Sequence, residues 1–138
     1  MIFGLTIVLH SFLLGSLVFF ITIITPSVFK TLNNEFSSKF LRLVFPRVFV
    51  YGFFVSMLCS ITSYFENLTL SLYLSIFMSF TFLINAYVIT PIINKMRDLS
   101  NKGNNIAKNK FKFYHFLSVF IYLIQILISI IIITYYFI

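Results

Sequence analysis

The sequence predicts an all-α membrane protein, a single domain built as a bundle of four transmembrane helices. Three observations carry that prediction. All ten Lys and Arg residues fall in two short stretches, Lys30, Lys39, Arg42 and Arg47 in the first and Lys95, Arg97, Lys102, Lys108, Lys110 and Lys112 in the second. The apolar blocks around them are long enough to cross a bilayer, which takes about 20 residues. The 138 residues are 60% hydrophobic and 9% charged, whereas soluble domains carry about 25% charged residues.

The spans are expected at residues 2–25, 45–64, 70–90 and 113–138. Met1 to Leu5 carries no basic residue and no small-residue cleavage site follows, so the first apolar run is expected to stay as a span. The second and third spans are joined only by residues 65–69 and must form an antiparallel hairpin. Basic loops are retained in the cytoplasm, so both termini and Glu66 are expected outside, in a bacterial inner membrane. The net charge of +7 then reflects topology and attraction to anionic lipid headgroups; a nucleic-acid site would need a basic face on a soluble scaffold. Asn67-Leu68-Thr69 matches a glycosylation sequon, read as chance so near the membrane. One cysteine, Cys59, excludes an internal disulfide.

Two echoes point to tandem hairpins. Ile24-Thr25-Pro26 ends the first span and Ile89-Thr90-Pro91 the third, 65 residues apart, and the same offset sets Arg47 on Lys112. Low complexity is the competing explanation. Thr caps free amides and Pro fits the first helical position, so each basic loop is expected to open with a short amphipathic helix, Val28, Phe29, Leu32 and Phe36 sharing one face and Ile92, Ile93, Met96 and Leu99 the other copy's. The alternative is a span that simply continues past a proline. Gly52, Ser56 and Ser60 on the second span and Ser71, Ser75 and Ser79 on the third recur every fourth residue, spacing that lets helices approach closely in lipid. Packing is favoured over a hydroxyl-lined pathway.

Polar groups within the spans form two clusters. At about 1.5 Å per residue, Asn85, His115, Ser118, Tyr51, Arg47 and Thr22 lie within two turns of the cytoplasmic boundary. Arg47 and His115 there offer donors to a phosphate or carboxylate, against the plainer roles of interfacial anchor and interhelical hydrogen bond. His10, Cys59, Met57, Met78 and Gln125 lie about 18 to 22 Å from that side. Imidazole, thiol and thioether suit Cu(I), although Met and Cys in a bilayer usually serve as apolar filling. His10 and His115 are too far apart in depth to share a metal or a haem. His10 is expected to face the bundle, with Gln125 and second-span hydroxyls as partners and Cys59 as a weaker one. No carboxylate lies within a span, and no phosphate loop, catalytic triad or zinc spacing occurs.

Leu9-His10 and Gly15, Pro26 with Phe29, Phe45-Pro46-Arg47, Asn85 with Pro91, Arg97-Asp98, and His115 three residues before Ser118 together resemble the four-span transmembrane-protein-205-like family, a DUF4149-like domain of unknown function. The resemblance implies a four-helix bundle of unassigned activity. That family often has Asn four residues after the Ser, where Tyr122 stands. A more distant likeness is to haem-biosynthetic and copper-resistance four-span proteins with an early histidine such as His10; the haem group's basic residue in the third span is missing here. The function expected is therefore a non-enzymatic membrane protein that binds or transports a small ligand, with Arg47, Tyr51, Asn85, His115 and Ser118 as its site, or that supports a membrane partner or a second copy of itself. The alternative is a haem- or copper-handling redox protein centred on His10, with Cys59, Met57 and Met78.

Overall fold

The computed structural model of the chain describes residues 4–138, so the expected start of the first span at Ile2 lies outside the described residues. Four long helices follow one another: α1 (Leu5–Thr31), α2 (Asn34–Phe65), α3 (Thr69–Asn101) and α4 (Asn105–Tyr136), each long and apolar enough to cross a membrane. They run alternately up and down. Each helix packs on the next and α4 returns to α1, which closes a ring of four. The outward faces carry Phe, Ile, Leu and Val in quantity, Phe54, Phe80 and Phe116 each exposing 60% or more, the surface expected against lipid tails.

The basic connections are not loops. The helices run on past the apolar spans and turn sharply at Leu32–Asn33 and 102–104. Asn33 accepts from the Phe36 amide and Asn104 from the Ala107 amide, so each N-cap uses a side-chain oxygen to satisfy an amide without an intrahelical partner. Gly103, at φ 87°, supplies the left-handed residue that ends α3. The segments after Thr25 and Thr90 are helical and continue α1 and α3 without a break, rather than forming separate helices on the surface.

Both Thr-Pro pairs sit just after a π-helical turn, Phe20–Ile24 in α1 and Asn85–Ile89 in α3. A proline lacks the amide of the helical ladder and its ring crowds the carbonyl a turn earlier. The wider turn relieves that crowding, and the preceding threonine reaches back five residues: Thr25 Oγ1 donates to the Phe20 carbonyl at 3.1 Å and Thr90 Oγ1 to the Asn85 carbonyl at 2.7 Å. The two hairpins thus repeat a structural device as well as a tripeptide. The segment after the turn is 7 residues long in α1 and 12 in α3, which shifts the later register. Asn33 corresponds to Asn104, and Arg47 falls on Ser118 rather than Lys112.

α2 and α3 form the tightest pair. Ser56 meets Ser79 hydroxyl to hydroxyl at 2.8 Å, and Ser63 meets Ser71 at the same distance. Gly52 lies against the Phe82 ring. Ser60 is half-buried and donates to the Ser56 carbonyl of its own helix, while Ser75 turns to α1 instead. At the end away from the basic residues, Glu66 Oε1 accepts from the Leu5 and Thr6 amides at 2.9 and 3.2 Å, closing the amino end of α1.

A methyl group on Gly52 would run into the Phe82 ring, whereas one on Gly15 meets nothing within 4 Å. Gly52→Ala should therefore destabilise the bundle by about 1–3 kcal/mol, the usual cost of overpacking. Gly15→Ala should be neutral or slightly stabilising, since Ala is the better helix former. Unfolding midpoints in mixed detergent measure both, and equal midpoints would show that α2 and α3 do not approach this closely.

Candidate functional site

The helices leave a space between them at the basic end, next to the π turns. A cavity of about 220 Å³ lies there, lined from all four helices. Phe20, Ile21, Thr25 and Phe29 come from α1, and Leu41, Arg42, Phe45 and Phe49 from α2. α3 contributes Thr90, Ile93, Asn94 and Arg97, and α4 His115, Ser118, Val119 and Tyr122. Phe49 and Tyr122 pack edge to face at its inner end, with Phe20, Phe45 and Phe49 forming one aromatic wall. Its charged groups come from the parts of α2 and α3 that extend beyond the apolar spans. The cavity is therefore apolar toward the membrane interior and cationic toward the basic end.

The two guanidinium groups are held differently. Arg42 pairs with Asp98 through Nη2, and its buried Nε has no partner. Arg97 donates from Nη1 to the Ser38 hydroxyl at 2.8 Å and lies 5.0 Å over the Phe111 ring, which stacks on His115. A serine and an aromatic face fix Arg97 without cancelling its charge. Asp98 stands beyond the apolar span of α3, and the Arg42 hydrogen bond holds its carboxyl below the usual range. A group lowered in this way keeps its pairing above its ordinary pKa and loses it only as pH falls through the lowered one.

Of the residues expected to form this site, His115 and Ser118 line the cavity. Asn85 lies beside it, fully buried, its Nδ2 donating to the Ser118 carbonyl at 3.4 Å and its Oδ1 without a partner. Arg47 is exposed on the outside of α2 and does not line the cavity. Tyr51 also faces outward and bonds Ser16 at 3.0 Å. The helical turn explains both positions: residues 42, 45 and 49 share the inward face of α2, and 47 and 51 fall on the other side. Arg42, Arg97 and Tyr122 were not expected here. The spacing of Arg42 to Phe45 and Phe49 carried the signal, which the assignment of Arg42 to a loop concealed.

The other cluster is less coherent. His10, Cys59 and Met78 are fully buried, but Met57 is 42% exposed and lines a shallow apolar groove between α2 and α3. His10 Nε2 bonds Ser75 Oγ on α3 at 3.0 Å, not a second-helix hydroxyl or Gln125, which instead donates to Thr81 at 3.0 Å. His10 lines neither the cavity nor the groove. Among the described residues no group of three or more His, Cys, Asp and Glu side chains could hold a metal ion.

A family model described as "Domain of unknown function (DUF4149)" matches residues 8–102, which takes in most of α1, all of α2 and α3, and both π turns. No curated protein and no solved structure matches the chain.

Asp98→Asn removes the partner of Arg42 and should strengthen the binding of inorganic phosphate at the basic end severalfold near neutral pH. Equilibrium titration of the purified protein measures this. Unchanged affinity would mean that Arg42 does not present its charge to the cavity.

Proposed function

Because the chain belongs to the DUF4149 family, whose description names no activity, we propose a function from the cavity: the protein binds, within the membrane, a small amphiphile with one anionic head and an apolar chain. The observation that carries this reading is Arg97, a partly buried guanidinium at the cavity with no carboxylate paired to it, set beside an aromatic wall. A carboxylate or phosphate head meets Arg97 and Arg42 through charge-assisted hydrogen bonds, and the chain lies along Phe20, Phe45 and Phe49. At about 220 Å³ the cavity falls below the ~300–1,000 Å³ typical of drug-sized ligands, so it suits a head and the first carbons of a chain. The rest of such a chain extends among the helices or into lipid. This is a binding or carrier role and not an enzymatic one.

In the same reading the basic end faces the cytoplasm of a bacterial cell and both termini face outward, since Lys and Arg bias loops to that side. The ligand head then sits at the inner leaflet, where anionic lipids also gather.

Native mass spectrometry of the purified protein with dodecyl phosphate and with dodecyltrimethylammonium tests the reading. The phosphate amphiphile should bind and the cationic one should not. Arg97→Gln should weaken binding at least tenfold, about 1.4 kcal/mol, close to the lower end of the ~1.5–3 kcal/mol of a hydrogen bond to a charged group; Lys108→Gln should leave it unchanged. Equal binding of the two amphiphiles, or no effect of Arg97→Gln, would refute it.

A further inference from the structure

Apart from the serines of the α2–α3 seam, several polar side chains buried inside the bundle follow a line. On α4, Ser118, Tyr122, Gln125 and Ser129 are spaced alternately four and three residues apart, so they form one stripe, and all are buried. The stripe begins in the cavity, which Ser118 and Tyr122 line. It ends with Ser129, within about one turn of the height of His10 counted from the far ends of their helices, and α1 packs on α4. His10 reaches Ser75 on the opposite helix α3, so its ring crosses the middle of the bundle. One turn further out on α1, Thr6 bonds Thr62 at 2.9 Å. One turn beyond Thr62 is Glu66, at the far end.

Among the described residues five of the six unpartnered buried side-chain atoms belong to residues along this line: Asn85 Oδ1 beside the cavity, then Gln125 Oε1, Ser129 Oγ, His10 Nδ1 and Glu66 Oε2; the sixth, Arg42 Nε, lies at the cavity. His10, Asn85, Gln125 and Ser129 are each fully buried. A buried polar atom without a partner costs about 1–3 kcal/mol, and in a bilayer no lipid group can supply the bond. Internal water is the usual remedy, each molecule making about three hydrogen bonds. Groups one helical turn apart, about 5.4 Å, stand at the span of a single water that makes two bonds of about 2.8 Å.

We propose that this line is a proton-conducting path of water and polar side chains, running from Glu66 through His10 and the α4 stripe to the basic-end cavity. His10 is its only titratable side chain between Glu66 and Tyr122. It takes a proton on one ring nitrogen and releases one from the other, the Ser75 hydroxyl receiving or supplying the proton at Nε2. One proton leaves at one end for each that enters at the other, nothing is oxidised, and the drive is the proton gradient or membrane potential. The path uses the cavity only as its inner mouth and does not need the cavity's ligand.

The test is proton flux into proteoliposomes loaded with a pH-sensitive dye, with a potassium gradient and valinomycin supplying the potential. Vesicles holding the full chain should change internal pH faster than protein-free vesicles. His10→Gln keeps a side chain that can bond Ser75 but cannot carry a proton, and should reduce the flux to the protein-free rate; Ser129→Ala should reduce it in part. Circular dichroism and a single gel-filtration peak establish that each variant is folded. Wild-type flux equal to protein-free vesicles overturns the proposal, as does undiminished flux through His10→Gln. Loss of amphiphile binding in Arg97→Gln with flux retained separates this path from the ligand site.

Discussion

Inside a bilayer a buried polar group must find its partner within the protein, and that constraint organises this bundle. Polar side chains are nearly as numerous as apolar ones among the buried residues described, and several of their hydrogen bonds join different helices. Thr6 meets Thr62, His10 meets Ser75, Ser56 meets Ser79, Gln125 meets Thr81, and the Tyr122 hydroxyl donates to the Leu17 carbonyl at 2.8 Å. Apolar packing alone gives weak direction in lipid, because tails and leucines are equally oily; close approach of small residues and interhelical hydrogen bonds supply the rest. These bonds tie the first helix to the second, third and fourth and fix which faces turn inward.

The same constraint shapes the basic end. Pro26 and Pro91 each lack the amide of the helical ladder, and each follows a π turn in which the threonine amide and hydroxyl both bond the carbonyl five residues back, that of Phe20 in α1 and of Asn85 in α3. π turns inside α-helices are frequent at functional sites. Here Phe20 and Ile21 of the first π turn, and the threonine after each turn, line a cavity that also takes in two guanidinium groups.

Much of the fold was legible in the sequence because hydropathy and charge are strong, local signals. Four spans, the tight hairpin at residues 65–69 and the Thr-Pro echo all follow from them. What was hidden depends on where helices end. Residues 34–44 carry Glu35, Lys39 and Arg42, which reads as a loop, yet an Asn33 cap starts a helix there and an exposed Lys39–Glu35 pair continues it. That extension brings Arg42 into line with Phe45 and Phe49 and leaves Arg47 outside. The polar stripe of α4 was visible only in fragments. Ser118 and Gln125 differ in depth, and grouping by depth separated residues that one helical face unites.

α4 turns its polar stripe inward and its apolar residues outward. Oxygen accessibility of nitroxide labels placed one at a time along α4, in bilayers and with Cys59 replaced by Ala, measures that orientation directly. Labels at Phe120, Leu123, Leu127 and Ile130, all exposed, should relax fast in the presence of oxygen. Labels at Ser118, Tyr122, Gln125 and Ser129 should be protected. A flat profile, or fast relaxation at the polar positions, would contradict the inward stripe and the architecture built on it.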